Sequence, residues 1–358
     1  MSRPSGVPES EPAGRAGDAE EVQGLPREAF TRWAADAVPT LGADWTAEVI
    51  SGGLSNITYR VSSPTATVIV RRPPLGKLLP SAHDMGRESR VLSALWPTAV
   101  PVPEVLAATS DPDVVGAPFY VMALVEGTVY RDPAQTTDLT AAQRDQLSDS
   151  LVEVLAAIHA VDLDESGLRD FGRPDGYLER QVRRWSGQWE ASRTRDLPAM
   201  DDLIRALDAQ RPLGGEVTLV HGDYRLDNTL VAQQEGRPTV AAVVDWELST
   251  LGDPLADLAT WLTYYSGPGE DGSAVPVAAG LTAHEGFPTT DEIAHRYAAA
   301  TGRDVSGLDY YRAFTDFRLA VILEGVHARY LAGRSMGEGY DRVGASVPLL
   351  VDRALARL

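Results

Sequence analysis

Val217-Thr218-Leu219-Val220-His221-Gly222-Asp223-Tyr224-Arg225-Leu226-Asp227-Asn228-Thr229-Leu230-Val231 is the stretch that decides the reading of this chain. Apolar residues at both ends flank a dense polar segment, so the backbone is anchored on both sides while Asp223 and Asn228 project from a fixed platform. Further on, Val240-Ala241-Ala242-Val243-Val244 reads as a buried strand that delivers Asp245 at its end. Two carboxylates and an amide can then converge. Such a set suits phosphoryl transfer, in which the protein mainly positions the reactants and neutralises charge. Asp223 is placed to orient an attacking hydroxyl and accept its proton. Asn228 and Asp245 offer the hard oxygens that Mg²⁺ prefers, and this ion needs only one or two ligands from the protein.

His221-Gly222-Asp223 followed by Asn228 has the H-x-D-x-x-x-x-N spacing of kinase catalytic loops, and Asp245-Trp246-Glu247 stands where kinases carry D-F-G. In the form H-G-D-x-x-x-x-N with a following V-V-D-W-E, the sequence resembles the aminoglycoside phosphotransferase and choline kinase superfamily, from about Val49 to Leu331. At Tyr177 to Trp189 and at Phe317 to Tyr330 it looks closest to the kinase-like modules fused to some acyl-CoA dehydrogenases. The resemblance implies an α+β, protein-kinase-like two-lobed fold, a small antiparallel β lobe followed by a larger, mainly helical lobe. ATP and Mg²⁺ are the cofactors it implies, with Asp223 catalytic and Asn228 and Asp245 as metal ligands. Gly52, Gly53, Ser55 and Asn56 lie in a turn between two strands, where kinases cover the phosphates. Arg71 stands where a strand usually supplies a phosphate-binding lysine, a departure, and Lys77 in the next loop is a substitute cation. Glu88 matches the glutamate that holds that cation, and Leu124 lies in the hinge where backbone groups bind adenine. Asp257 is expected to brace the loop, His221 to orient its backbone, and His159 to pack in the core.

The periodicities give the rest of the organisation. Residues 1 to about 27 are rich in Gly, Pro, Glu and Ala and are expected to be a disordered tail. A nucleotide-binding lobe is expected over 28–125 and a catalytic and substrate lobe over 126–358. Arg27 to Val38 carries Phe30, Trp33, Ala34 and Ala37 at helical spacing. Trp45 to Ile50, Ile57 to Val61, Thr67 to Arg71 and Phe119 to Val125 read as strands, and alternation turns Arg72 to the face opposite Arg71. His83 to Leu95, Leu147 to Val161, Gly176 to Ser192 and Tyr310 to Leu331 read as helices. Val217 to Val220 is a further short strand, and Asp253-Pro254 is a helix N-cap followed by proline at the first position.

The formal charge of −19 argues against binding nucleic acid, whose phosphates call for clustered Lys and Arg. The absence of cysteine excludes disulfides, thiolate catalysis and cysteine-ligated zinc. No apolar run approaches the roughly 20 residues needed to span a bilayer, and no signal peptide is visible, so a cytoplasmic protein without a membrane partner is expected. The expected partner is a small-molecule substrate. Arg180, Arg183 and Arg184 share one helical face, which suits an anionic acceptor such as a hydroxyacyl-CoA or hydroxy acid. The alternatives are an aminoglycoside-type antibiotic phosphotransferase and a nucleotide-binding module without turnover.

Overall fold

In the computed structural model of the chain, residues 22–51, 56–75, 84–212, 215–270, 280–333 and 342–358 are described. Helix α1 (Arg27–Ala37) buries Phe30 and Ala34, which lie one turn apart and form its single apolar stripe. Three strands follow as a meander, β1 (Thr46–Ser51), β2 (Ile57–Ser62) and β3 (Thr67–Arg72). Helix α2 (Met85–Leu95) starts at Asp84, whose carboxylate accepts the Arg87 N–H. It leads to β4 (Val105–Thr109), a short α3 (Pro112–Val115) and β5 (Phe119–Ala123). The five strands pair antiparallel in the order β1-β2-β3-β5-β4.

The two-residue period of β3 sorts its side chains to opposite sides of the sheet. Val68 and Val70 share one face with Tyr59, Val61, Phe119 and Val121, beneath Phe30 and Ala34 of α1. Trp45 meets Phe30 edge-on there, with ring centroids 5.3 Å apart. Truncating Phe30 to alanine in such a core costs about 3–5 kcal/mol. Ile69 lies on the other face with Tyr120 and Met122, packed against Val91 and Leu92 of α2. The same alternation sends Arg71 to the α2 side and Arg72 to the α1 side. Arg72 is buried there and donates to the Val115 carbonyl at 2.8 Å.

Beyond β5 the chain becomes mainly helical. Thr128 exchanges backbone hydrogen bonds with Val231, which seats the connection on the second half of the molecule. Gly127 permits that close approach, since a Cβ there would stand 3.0 Å from the Leu230 Cβ. Then come α4 (Pro133–Thr137), α5 (Ala141–His159), α6 (Tyr177–Ser192) and α7 (Pro198–Ala209). Strands β6 (Thr218–Val220), β7 (Thr229–Gln234), β8 (Arg237–Val243) and β9 (Thr250–Gly252) follow, β6 pairing with β9 and β7 with β8. Helices α8 (Pro254–Tyr264), α9 (Thr290–Thr301), α10 (Leu308–Leu331) and α11 (Val343–Leu355) complete the half, with α10 packed against α6, α8 and α11.

Strands and helices fall where the periodicities put them, with shifted ends. A capping box at Thr140 and Gln143 opens α5 at Ala141, six residues before the expected start. Strand β5 stops at Ala123, before the expected Val125. Not foreseen are β4, β7, β9, α3, α4, α7, α9 and α11. Three residues are too few for a pattern in β9, whereas Met200, Leu203 and Leu207 do mark α7 at helical spacing. Of the expected tail, only residues from Val22 on are described, and Leu25 is buried against the sheet core. Among the described residues no helix is long and apolar enough to cross a membrane.

Candidate active site

On the α2 side of the sheet, Arg71 Nε donates to Glu88 Oε2 at 3.1 Å, and Nη1 donates to Thr58 Oγ1 at 3.3 Å. Its Nη2 reaches across to Asp245 Oδ1. The Glu88 side chain is only 1% exposed. Burial pushes its carboxyl above the ordinary glutamate range, against the pull of Arg71. Arg71 is raised as well: burial works against its charge, but Glu88, then Tyr120 and Asp245, outweigh that penalty.

The loop after β6 is held mainly by its backbone. Gly222 has φ +84°, and a Cβ on it would lie 2.6 Å from the Leu248 carbonyl oxygen, so only glycine fits. Asp257 on α8 accepts the N–H of His221 at 2.5 Å and that of Gly222 at 2.7 Å. His221 Nδ1 accepts the Asp223 N–H at 3.3 Å, which leaves its Nε2–H to donate to the Val244 carbonyl at 3.1 Å. His221 is thereby committed to the main chain on both sides. His159 is buried as expected, and its ring also carries polar work: Nδ1 meets the Tyr297 hydroxyl at 2.7 Å and Nε2 meets Asp257 at 3.4 Å.

Asn228 Nδ2 donates to the Asp223 carbonyl at 2.8 Å and to its Oδ2 at 3.0 Å. Val244 N–H donates to the Asn228 carbonyl at 3.0 Å, so the residue preceding Asp245 is tied directly to the loop. Asp245 follows β8 with φ +67°, a left-handed conformation uncommon outside glycine, asparagine and aspartate. That backbone turn lifts its carboxylate out of the strand, where it remains 32% exposed. Arg71, Asn228, Asp245, Ile69, Met122 and Leu124 line one cleft of about 350 Å³ between the sheet and the helical half.

The residues expected to act together are thus brought together, apart from those outside the described residues. Gly52, Gly53 and Ser55 lie outside, as does Lys77. Asn56 is described and buried, and its Nδ2 donates to Glu247 Oε2 at 3.2 Å. Asp223 is not itself a wall of the cleft but is bonded to Asn228, which is. On α6, Arg180 is tied to the Arg173 carbonyl, while Arg184 lies 5.5 Å from the Trp185 ring centroid.

Two cations beside Asp223 were not foreseen. Arg225 Nε stands 3.4 Å from Asp223 Oδ2 and 3.1 Å from Asp227 Oδ1, with its guanidinium over the Tyr264 ring. Its position inside the quoted loop is a signal that could have found it. Arg318 on α10 donates to the Gly222 carbonyl at 3.0 Å, from a distant part of the sequence that gives no such signal.

Among the described residues no group of three or more His, Asp or Glu side chains is arranged to hold a metal. The donor set of Asn228 and Asp245 nevertheless fits Mg²⁺, which takes hard oxygens and keeps most of its other ligands from water and phosphate. With Nδ2 turned onto Asp223, the Asn228 amide oxygen is left for the cleft, beside the partly exposed Asp245.

A family model for the phosphotransferase enzyme family, APH, matches residues 46–311. The chain is 39% identical over 289 residues to acyl-CoA dehydrogenase family member 10 of Mus musculus, covering 79% of this chain and 26% of that protein. It spans between 26% and 41% of the first such dehydrogenase relatives it matches. A solved structure from Ralstonia eutropha JMP134, provisionally named an aminoglycoside phosphotransferase, superposes with TM-score 0.79 at 34% identity, covering 92% of this chain and 97% of that one. A thermostable mutant of an aminoglycoside phosphotransferase, solved with ADP and hygromycin B, shares the fold at TM-score 0.58 and 15% identity, covering 92% of this chain and 97% of its own. These neighbours are kinase-like, and the antiparallel sheet followed by helices is that two-lobed α+β fold.

Proposed function

This chain belongs to the phosphotransferase enzyme family, and from that premise we propose that it transfers the γ-phosphoryl group of ATP, with Mg²⁺, to a hydroxyl group of a small molecule. The observation that carries the reading is that Arg71, Asn228 and Asp245 line one cleft, with Asp223 bonded to Asn228 and Glu88 bonded to Arg71 behind them. Residues 28–125 serve as the nucleotide lobe in this reading, and residues 126–358 as the catalytic and substrate lobe.

Asp223 orients the acceptor hydroxyl and takes its proton as the new oxygen–phosphorus bond forms and the bond from the γ-phosphorus to the β,γ-bridging oxygen breaks. Asn228 and Asp245 would hold the Mg²⁺, which when bound neutralises charge on the phosphate oxygens. Arg71, fixed by Glu88, offers its guanidinium to phosphate, to which an arginine can bind bidentately. Backbone groups at Met122 to Val125, which line the cleft, receive the adenine. The phosphate cover at Gly52, Gly53, Ser55 and Asn56 belongs to the same proposal.

For the acceptor we propose a hydroxyacyl-CoA or hydroxy acid. Arg225 and Arg318 stand around Asp223 and favour an anionic group near the reacting hydroxyl, and the relatives named acyl-CoA dehydrogenases support the acyl-CoA class. The name of the Ralstonia structure favours a second reading, an aminoglycoside acceptor. Phosphorylation assays with a hydroxyacyl-CoA and with kanamycin separate the two, and turnover on kanamycin alone reverses the preference. For the activity itself, Asp223→Asn is expected to lose about 10²–10⁴-fold in kcat while Mg-ATP still raises the thermal unfolding midpoint. Unchanged turnover removes Asp223 from the proposed role, and a wild-type protein without a Mg-ATP shift favours a module without turnover.

A further inference from the structure

A second cavity of about 290 Å³ lies in the helical half, lined by Arg312 of α10, Arg353 of α11, Arg357 just beyond the end of α11, Tyr265, Ser266 and Thr290. Three arginines lining one cavity is unexpected in a chain with formal charge −19. Arg353 is well paired, its Nε 2.9 Å from Asp316 Oδ2. The other two are not. Arg312 pairs with Asp291 at 3.6 Å, a side chain 79% exposed, and its Nη2 is buried without a hydrogen-bond acceptor among the described residues. Arg357 stands 3.7 Å from both Asp309 and Asp316, and its Nε is likewise buried without an acceptor among the described residues.

Buried guanidinium N–H groups left unpaired are costly, and a partner that arrives from solution removes that cost. Burial, and then the neighbouring Arg357, both work against the charge on Arg312. The carboxylates of Asp291, Asp309 and Glu270 offset this only in part, and the two oxygens of Glu270 take their hydrogen bonds from the N–H groups of Gly267 and Thr290 and from the Thr290 hydroxyl rather than from Arg312. Ser266 Oγ makes no hydrogen bond among the described residues and is available at the same wall.

We propose that this cavity is an anion site, in which Arg312 and Arg357 bind a phosphate-class oxyanion, either free or carried on an organic molecule. The site stands apart from the cleft that holds Asp245, and it does not depend on the acceptor assigned above. A planar guanidinium offers two parallel N–H donors to such an oxyanion. Two of them, one from α10 and one from the turn that follows α11, with a serine hydroxyl, suit a tetrahedral ligand.

The test is thermal unfolding of the full chain in sodium phosphate against sodium chloride of equal ionic strength, with hydrogen exchange to locate the ligand. Phosphate is expected to raise the wild-type midpoint saturably by about 2 °C or more. Arg312→Gln and Arg357→Gln are each expected to lose that rise, their own midpoints in chloride serving as the check on folding. Phosphate is also expected to slow exchange in the wild type over 262–270 and 343–358. A larger rise with glycerol 3-phosphate assigns the site to an organic phosphate, and an equal or smaller one to the free ion. No rise, a rise of the same size in folded Arg312→Gln, or protection confined to 221–245 overturns the proposal.

Discussion

Asp257 holds His221 by its main chain: Oδ2 accepts the His221 N–H at 2.5 Å, while Oδ1 takes the next N–H, that of Gly222, at 2.7 Å. One buried carboxylate therefore fixes two consecutive peptide units immediately before Asp223. Arg318 holds the other side of the same segment through the Gly222 carbonyl. The proposed base is placed by a clamp on its neighbours' backbone, and this clamp yields most of what can be measured.

Burial raises the Asp257 carboxyl, but the hydrogen bond and charge of His159, with His221 and its N–H, outweigh it and hold the group below the ordinary aspartate range. A depressed folded value contributes stability that is complete above the unfolded value of about 3.9 and is lost as pH falls through the folded one. Denaturant unfolding of the wild type should lose this contribution below about pH 4. Asp257→Asn should be less stable by about 3 kcal/mol at pH 7 and should lack that part of the acid loss. Superimposable acid limbs in the two proteins would remove the clamp.

Gly222→Ala tests the same segment from the inside. An added Cβ meets the Leu248 carbonyl oxygen at 2.6 Å and requires φ +84° of an alanine. The loop must shift, and a displacement of about 1 Å is enough for a hundredfold loss of rate. Expected is a fall in kcat of that order with near-normal Mg-ATP binding, measured by steady-state kinetics and calorimetry. Wild-type kcat would show that the glycine is incidental.

Arg318→Gln should separate positioning from binding. With the Gly222 carbonyl released, kcat should fall about tenfold while KM for ATP stays unchanged, a difference of about 1.4 kcal/mol in the transition state. Arg318→Lys should recover part of the rate by donating to the same carbonyl. A change confined to KM for ATP contradicts the assignment.

Removing Arg71 leaves the buried Glu88 carboxylate without its cation. Arg71→Ala should therefore destabilise the protein by about 3–5 kcal/mol in addition to weakening nucleotide binding. Arg71→Lys should restore most of the stability by pairing with Glu88, and urea unfolding of the three proteins decides the matter. Equal stability of Arg71→Ala and wild type would mean that the pair holds nothing together.

Much of this molecule is legible in its sequence because local physics writes it there. Alternation in β3 separates Arg71 from Arg72, Asp253-Pro254 announces the start of α8, and His221 to Asn228 carries its own spacing. Glycine at 222 is legible as a residue, though its reason, the carbonyl of Leu248, is not. Such features depend on neighbours within a turn or a strand, so a linear reading reaches them.

Only the tertiary structure decided what lies across the chain. It set Arg71 against Asp245, 174 residues away, gave the Gly222 carbonyl to Arg318, and enclosed Arg312 with Arg357. It also gave the buried His159 a partner in Asp257. The physical reason is that hydrogen bonds and ion pairs depend on separation in space and on burial. Packing of α8, α10 and α11 sets both, and no local pattern encodes either.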